Sequence, residues 1–383
     1  MKVWRKAGLG LSIASLLALT ACGSGGSSGG QGGASSSEIL VGVQSPTTGS
    51  EAKMGQDINN AVQLAADEIN EKGGINGKKI KLVFADDACD PQTATAAANK
   101  LVSQGVVAVV GGYCSGATLP ASGVYHNAGI PMVVTAANSA KIPAQGYKEI
   151  FLTNGTTVHQ AEAASEHMLK ALGAKRIAIV HDNSAFAKDL AEITKKAVQE
   201  KGGEVVAFEA VNPEEKDFTS LLTKLKSAKP DATYWTAYYA AGGLLIKQFK
   251  QLGVPGAIGV GDGANDKTLI DIAGKQAAEG TFVTTSPTPE FIPSAKSFTD
   301  SYKAKFKGEP GPYSALSYDG MRLLADAIAR ANTTDKAAIV KALKETKGFK
   351  TFGGDISFKE DGTLEKSNFI VIQVKDGKFS LPK

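Results

Sequence analysis

The chain has 383 residues, 43% of them hydrophobic and 21% charged, enough apolar content for two ordinary domains and too evenly mixed for an integral membrane transporter. The formal charge is +4, and it falls to +1 without Lys2, Arg5 and Lys6 near the start. That balance excludes a basic nucleic-acid-binding surface.

Met1 to Lys6 is a basic segment, and Ala7 to Thr20 is an apolar run of about 14 residues, too short to span a bilayer stably. Together they read as an export signal over residues 1–21. Leu19-Thr20-Ala21-Cys22 resembles a bacterial lipobox, which implies that Cys22 is lipidated and becomes the mature N-terminus. Residues 22–37 are almost entirely Gly and Ser after the cysteine, a composition that acts as a flexible tether. Such a protein is exported and lipid-anchored at the bacterial cell envelope, and touches the membrane only through its anchor. With Cys22 acylated, Cys89 and Cys114 remain as one candidate disulfide in an oxidising compartment.

From residue 38 onward, strand and helix patterns alternate. Ile39–Val43 is a β-branched strand, and Met54–Glu71 has apolar positions at helical spacing. Strand Lys79–Ala85, helix Pro91–Gly105 and strand Val106–Val110 follow, then a helix from about Leu119, with Pro120 placed in its first turn, and strand Pro131–Thr135. Between strand and helix stands Gly111-Gly112-Tyr113-Cys114-Ser115-Gly116-Ala117-Thr118. Its glycines let backbone approach a ligand, and a helix N-terminus with two hydroxyls favours an anion such as a carboxylate.

A second run comprises helix His159–Leu172, strand Arg176–His181, helix Ala187–Lys201, strand Glu204–Phe208, helix Phe218–Ser227, strand Ala232–Thr236, helix Ala241–Leu252 and strand Ala257–Val260. Two parallel-sheet lobes are expected, with ligands bound beyond the carboxyl ends of the strands. Ala136 and Asn138, Asp182 and Phe186, Tyr238 and Asp262 stand at those ends. One acid, small polar groups and aromatic rings suit a zwitterion with an apolar tail. Asp262 would take its ammonium, because a buried ammonium without a partner costs several kcal/mol.

Five stretches carry a family resemblance: Asn70-Glu71-Lys72-Gly73-Gly74-Ile75-Asn76-Gly77, Asp86-Asp87-Ala88-Cys89-Asp90-Pro91, Cys114 to Ser122, Glu215-Lys216-Asp217-Phe218, and Gly311-Pro312-Tyr313. On these the chain resembles the periplasmic branched-chain amino-acid-binding proteins of ABC importers, over nearly the whole of Glu38 to Lys383. The resemblance implies an α/β fold of the type I periplasmic-binding architecture, two doubly wound parallel-sheet lobes joined by three hinge crossings. These fall near Asn154–Thr157, Ser286–Pro289 and Asp361–Thr363, so that lobe 1 is 38–155 plus 287–361 and lobe 2 is 156–286 plus 362–383. The implied ligand set is Ser115 for the carboxylate, Ala136, Asn138 (usually Thr), Tyr238, and Asp262 (often Glu) for the ammonium. Met54 (often Trp) and Phe186 (often Tyr) would line the side-chain end. A monomer with no cofactor and no enzymatic activity is expected, delivering Leu, Ile or Val to permease subunits.

Two alternatives are distinct from this. The same scaffold could bind alanine, proline, γ-aminobutyrate, an amide or urea, for uptake or sensing. Gly112-Tyr113-Cys114-Ser115-Gly116 also fits the nucleophile elbow of a Cys-dependent α/β hydrolase, with His126, His159, His167 or His181 as base. The histidines lack metal-ligand spacing, and Asp86, Asp87 and Asp90 lack the ligand alternation of a calcium loop. Gly259-Val260-Gly261-Asp262-Gly263 lacks the Lys-Ser/Thr of a phosphate loop.

Overall fold

The computed structural model describes residues 38–367 and 369–382. The export signal, Cys22 and the Gly/Ser tether lie outside the described residues.

The first βα run builds a five-stranded parallel sheet. Its strands are β1 (Glu38–Ser45), β2 (Lys79–Asp86), β3 (Ala108–Gly111), β4 (Met132–Val134) and β5 (Ile150–Leu152), in the order β2-β1-β3-β4-β5. Interleaved are α1 (Ala52–Glu71), α2 (Pro91–Ser103), α3 (Ser115–Asn127) and the single turn α4 (Lys141–Ala144). The buried positions of α1, including Ile58, Ala61, Val62 and Ala65, recur at helical spacing and seal one face of this sheet.

The second run builds a seven-stranded sheet from β6 (Arg176–His181), β7 (Glu204–Ala210), β8 (Ala232–Trp235), β9 (Ala257–Val260) and β10 (Phe282–Thr285). Its helices are α5 (Thr157–Glu166), which runs on into a π-helical turn at His167–Ala171, then α6 (Ala185–Glu200), α7 (Thr219–Ala228), α8 (Tyr239–Gln251), α9 (Lys267–Ala273) and α10 (Lys275–Ala278).

The chain then returns to the first sheet. Helices α11 (Lys296–Phe306), α12 (Ser314–Ala331) and α13 (Lys336–Lys344), with the hairpin β11 (Phe349–Thr351) and β12 (Gly354–Ile356), belong with it. Gly320 lets α12 lie close on the end of β4, since a Cβ there would stand 2.6 Å from the methyl carbon of Thr135. Last come β13 (Ile370–Lys375) and β14 (Lys378–Ser380), which join the second sheet antiparallel, giving the order β14-β13-β10-β9-β8-β6-β7. That sheet is therefore parallel through β10 and mixed at one edge.

Three passages of chain connect the sheets, and they lie side by side. Ser286 Oγ hydrogen-bonds Asn154 Oδ1, tying the second passage to the first. A Cβ at Gly155 would stand 2.6 Å from Ser367 Oγ and 2.8 Å from the Phe369 ring, so only glycine lets the third lie against the first. The third passage comes later than Asp361–Thr363. Gly362 is the tip of a turn with φ +76° that still pairs with the first sheet, its carbonyl accepting from Leu152 N at 2.9 Å, and Glu365 N donates to Ser357 O. The chain is therefore still with the first sheet at Glu365 and has joined the second at Ile370. The turn signal of Asp361-Gly362 marks a tight reversal, not a hinge.

Helix α3 also departs from expectation. It begins at Ser115, where Ala117 N and Thr118 N both donate to Cys114 O, so Pro120 lies in the helix interior. The missing Pro120 N–H costs the fourth-back carbonyl, that of Gly116, its helical partner. In exchange, the helix N-terminus sits at Ser115 itself. Cys89 and Cys114 are joined in a disulfide, Cα to Cα 5.3 Å, which ties the foot of α3 to the turn after β2. The sequence separation is 25, so on the chain-entropy account the double substitution Cys89→Ser, Cys114→Ser should lower stability by about 3 kcal/mol. Urea unfolding of both proteins would check this, and an unchanged midpoint would mean the bridge constrains nothing.

Candidate ligand-binding cleft

Both sheets have the 2-1-3-4-5 winding, whose ligand crevice lies past the carboxyl ends of the strands. These ends face one another across a cleft. The first sheet contributes Tyr113 from the β3–α3 turn and Ala136 and Asn138 after β4. The second contributes Phe186 in the first turn of α6, Tyr238 capping α8, and Asp262 and Gly263 in the turn after β9. Tyr313, just ahead of α12, completes the wall. These eight residues line a small pocket between the two sheets.

Asp262 is the one acid among the eight. Its Oδ2 accepts from Asn138 Nδ2 at 3.1 Å across the cleft, whereas Oδ1 is buried with no hydrogen-bond partner. Burial pushes its pKa to about 6, outweighing the nearby Gln160, Tyr313 and Asn154, which favour ionisation. A buried acceptor without a donor is an open demand for a cation or an N–H group.

A second buried carboxylate stands behind the wall. Glu51, at the foot of α1, is 3% exposed and accepts from the Tyr113 hydroxyl at 3.2 Å. Burial raises its pKa to about 7 against the help of Tyr113 and Ser50, with Asp266 and Asp182 adding to the rise.

Direct bonds close the cleft. Lys53 Nζ meets Asp266 Oδ2 at 3.0 Å, and the Tyr239 hydroxyl donates to Ser50 O at 2.6 Å. Near the passages, Asp189 Oδ2 of α6 accepts from Ser139 Oγ and Thr157 Oγ1, each at 2.7 Å, and from Ala140 N at 2.9 Å.

Of the residues expected from the sequence, Ala136, Asn138, Phe186, Tyr238 and Asp262 come together in the cavity wall. Ala136 O already accepts from Asn154 Nδ2 at 3.0 Å, and Asn138 Nδ2 is shared between Gln160 and Asp262, so both help hold the closed form. Ser115 is buried at the first position of α3, its Oγ accepting from Ser139 N at 3.3 Å, next to the cavity but not in its wall. Met54 is not among the residues that line the pocket. It lies on the buried face of α1, 1% exposed, and the wall nearest that helix is made by Tyr113 backed by Glu51. Tyr113, Glu51 and Tyr313 were not assigned roles from sequence, although Tyr113 and Tyr313 stand inside two of the quoted motifs.

Cys114 is in a disulfide and offers no thiolate, so the hydrolase reading loses its nucleophile. Among the described residues no group of three metal-ligating side chains gathers, and no helix is long and apolar enough to cross a membrane.

Two α/β lobes closing on a small cavity between their strand ends define a solute receptor of the type I periplasmic-binding fold. The chain belongs to the periplasmic binding protein family, whose pattern it matches over residues 38–378. This is a family of ABC-transporter solute-binding proteins and not of enzymes. The chain is 34% identical over 346 residues to the Leu/Ile/Val-binding protein homolog 3 of Brucella melitensis, covering 90% of this chain and 94% of that one. It is 34% identical to the leucine-, isoleucine-, valine-, threonine- and alanine-binding protein of Pseudomonas aeruginosa, covering 88% and 89%. The crystal structure of the branched-chain amino acid transporter substrate-binding protein LivJ of Streptococcus pneumoniae, in complex with isoleucine, superposes with a TM-score of 0.82 at 31% identity, covering 89% of this chain and 97% of that one.

Proposed function

We propose that this protein captures a neutral α-amino acid of the branched-chain group, leucine, isoleucine or valine, between its lobes and delivers it to an ABC import permease. The observation that carries the reading is the buried, unpartnered Oδ1 of Asp262 in a cavity walled by aromatic rings. It supplies the counter-charge for an ammonium, while Phe186 and Tyr238 supply apolar faces for the side chain. The N-terminus of α3, with Ser115, lies nearby to receive the carboxylate. The ligands that give the relatives above their names support the ligand class. Export by residues 1–21 and lipidation at Cys22 would hold the receptor at the envelope as a tethered monomer.

Micromolar binding requires about 8 kcal/mol. A few charge-assisted hydrogen bonds of about 1.5–3 kcal/mol each and one buried side chain reach that range after ordering costs.

Trp235 provides the readout. It is fully buried and its Nε1 donates to Tyr238 O at 3.0 Å, directly behind a cavity wall. Purified protein, unfolded and refolded to strip carried-over ligand, should bind a neutral α-amino acid in calorimetry with a matching change in tryptophan fluorescence. Binding of γ-aminobutyrate or urea with no α-amino acid bound would overturn the reading.

A further inference from the structure

Glu51 stands where the two lips of the cleft meet. It is the residue before α1, and the residues flanking it carry bonds that join the lobes: Ser50 O accepts from the Tyr239 hydroxyl at 2.6 Å, and Lys53 Nζ meets Asp266 Oδ2 at 3.0 Å. With both bonds made, the carboxyl is 3% exposed.

Its surroundings come from both lobes. Its own side gives it the Tyr113 hydroxyl, with Ser50 and Tyr313 nearby. The other side adds Asp182 after β6, Asp266 before α9, and Tyr238 and Tyr239 at the start of α8, with Asp262 beyond Tyr238. Lys53, two residues on, is already held by Asp266 and by Asp57 at 3.1 Å. Closure therefore strips water from this carboxyl and brings two further acids toward it. Burial is the larger cause, and together they push it up to about 7 from an ordinary 4.5, against the help of Tyr113 and Ser50.

We infer that Glu51 takes up a proton when the cleft closes, so that ligand capture is proton-linked and strengthens as the medium turns from mildly alkaline to mildly acidic. This rests on the amino-acid reading above and adds a regulation to it. Opening removes Asp182, Asp266, Tyr238 and Tyr239 together and returns the carboxyl to water, where it ionises near its ordinary value. A carboxyl raised in the closed form penalises closure wherever it is ionised in the open one. The penalty is absent below about pH 4.5, grows between about 4.5 and 7, and is complete above. Asp262 acts in the opposite direction, below about pH 6, so the comparison needs a variant that retains it.

The test is calorimetry of leucine, isoleucine and valine on the refolded wild type and Glu51→Gln from pH 6 to 8, in buffers of low and high ionisation enthalpy so that exchanged protons are counted. Glu51→Gln keeps an acceptor for Tyr113 and carries no charge. Wild-type affinity relative to this variant should fall roughly tenfold from pH 6 to 8. The wild type should also take up about one more proton per ligand than the variant at pH 6, and almost none at pH 8. Tyr113→Phe removes a hydrogen bond that favours the ionised carboxyl, so it should move proton uptake to higher pH, and it decides the matter if Glu51→Gln does not fold. Equal proton counts and a parallel pH course in wild type and Glu51→Gln, or a Tyr113→Phe course identical to wild type where Glu51→Gln is unfolded, overturn the inference and leave amino-acid capture standing. A wild type that binds none of the three amino acids overturns both.

Discussion

Replacing Asp262 by Asn should weaken amino-acid binding at least a hundredfold and, at neutral pH, make the ligand-free protein more stable. The two effects have one cause. In the unfolded chain this carboxyl ionises near 3.8, whereas burial in the cleft raises it to about 6. A carboxylate shifted upward is a cost of folding wherever it must be ionised. That cost is absent below about pH 4, grows between about 4 and 6, and is fully present above, reaching about 3 kcal/mol for a shift of about two units. An amide escapes the cost while still accepting from Asn138, so the variant's advantage in thermal melting should be largest at pH 7 and vanish near pH 4. On the proposed reading, a bound ammonium would offset the same cost in the wild type. Removing the acid loses that pairing, and loss of one partner of a buried pair is worth about 3–5 kcal/mol. Wild-type affinity should also fall as pH drops below about 6. Melting curves from pH 4 to 7 with titrations at the same values would check both, and a variant that binds normally removes Asp262 from the clamp.

Asp189→Ala should do the opposite, lowering stability sharply while leaving binding by the folded protein intact. One oxygen, Oδ2, accepts from Ser139 Oγ, Thr157 Oγ1 and Ala140 N, beside the passages between the sheets. Ser139 and Thr157 are fully buried, so removing the acceptor strands both hydroxyls as donors and leaves the Ala140 N–H only the Thr157 Oγ1 at 3.0 Å. Hydrogen bonds to a charged group contribute about 1.5–3 kcal/mol each, and stranding their donors should cost about 3–5 kcal/mol in all. Asp189→Asn, which keeps an acceptor, should lose markedly less. Urea unfolding measures the loss; a change below about 1 kcal/mol would show that the loop reorganises around the vacancy left by the side chain.

Much of the scaffold was legible because it is periodic. The spacing of Met54–Glu71 translates almost residue for residue into α1. The strand ends named from sequence are the places where the walls meet. What escaped was short or non-local. Strands β5 and β10, three and four residues long, were not read from the sequence. Glu51 reads as an ordinary acid at a helix start, and only packing against the β3–α3 turn makes it a buried partner of Tyr113. Tyr313 reaches the cleft because the chain returns to the first sheet after building the second. Met54, assigned by correspondence with relatives, is fully buried on α1 and does not line the pocket.

The solitary oxygen of Asp262 also bears on how transport can avoid waste. At neutral pH an empty cleft that closes must hold an unneutralised charge away from water, so vacancy itself works against closure. Arrival of the proposed ammonium would remove that obstacle. A transporter that responds to the shut outline of its receptor would thus meet mainly loaded copies, and its ATP hydrolysis would be coupled to cargo by a single atom in the receptor rather than by inspection at the membrane.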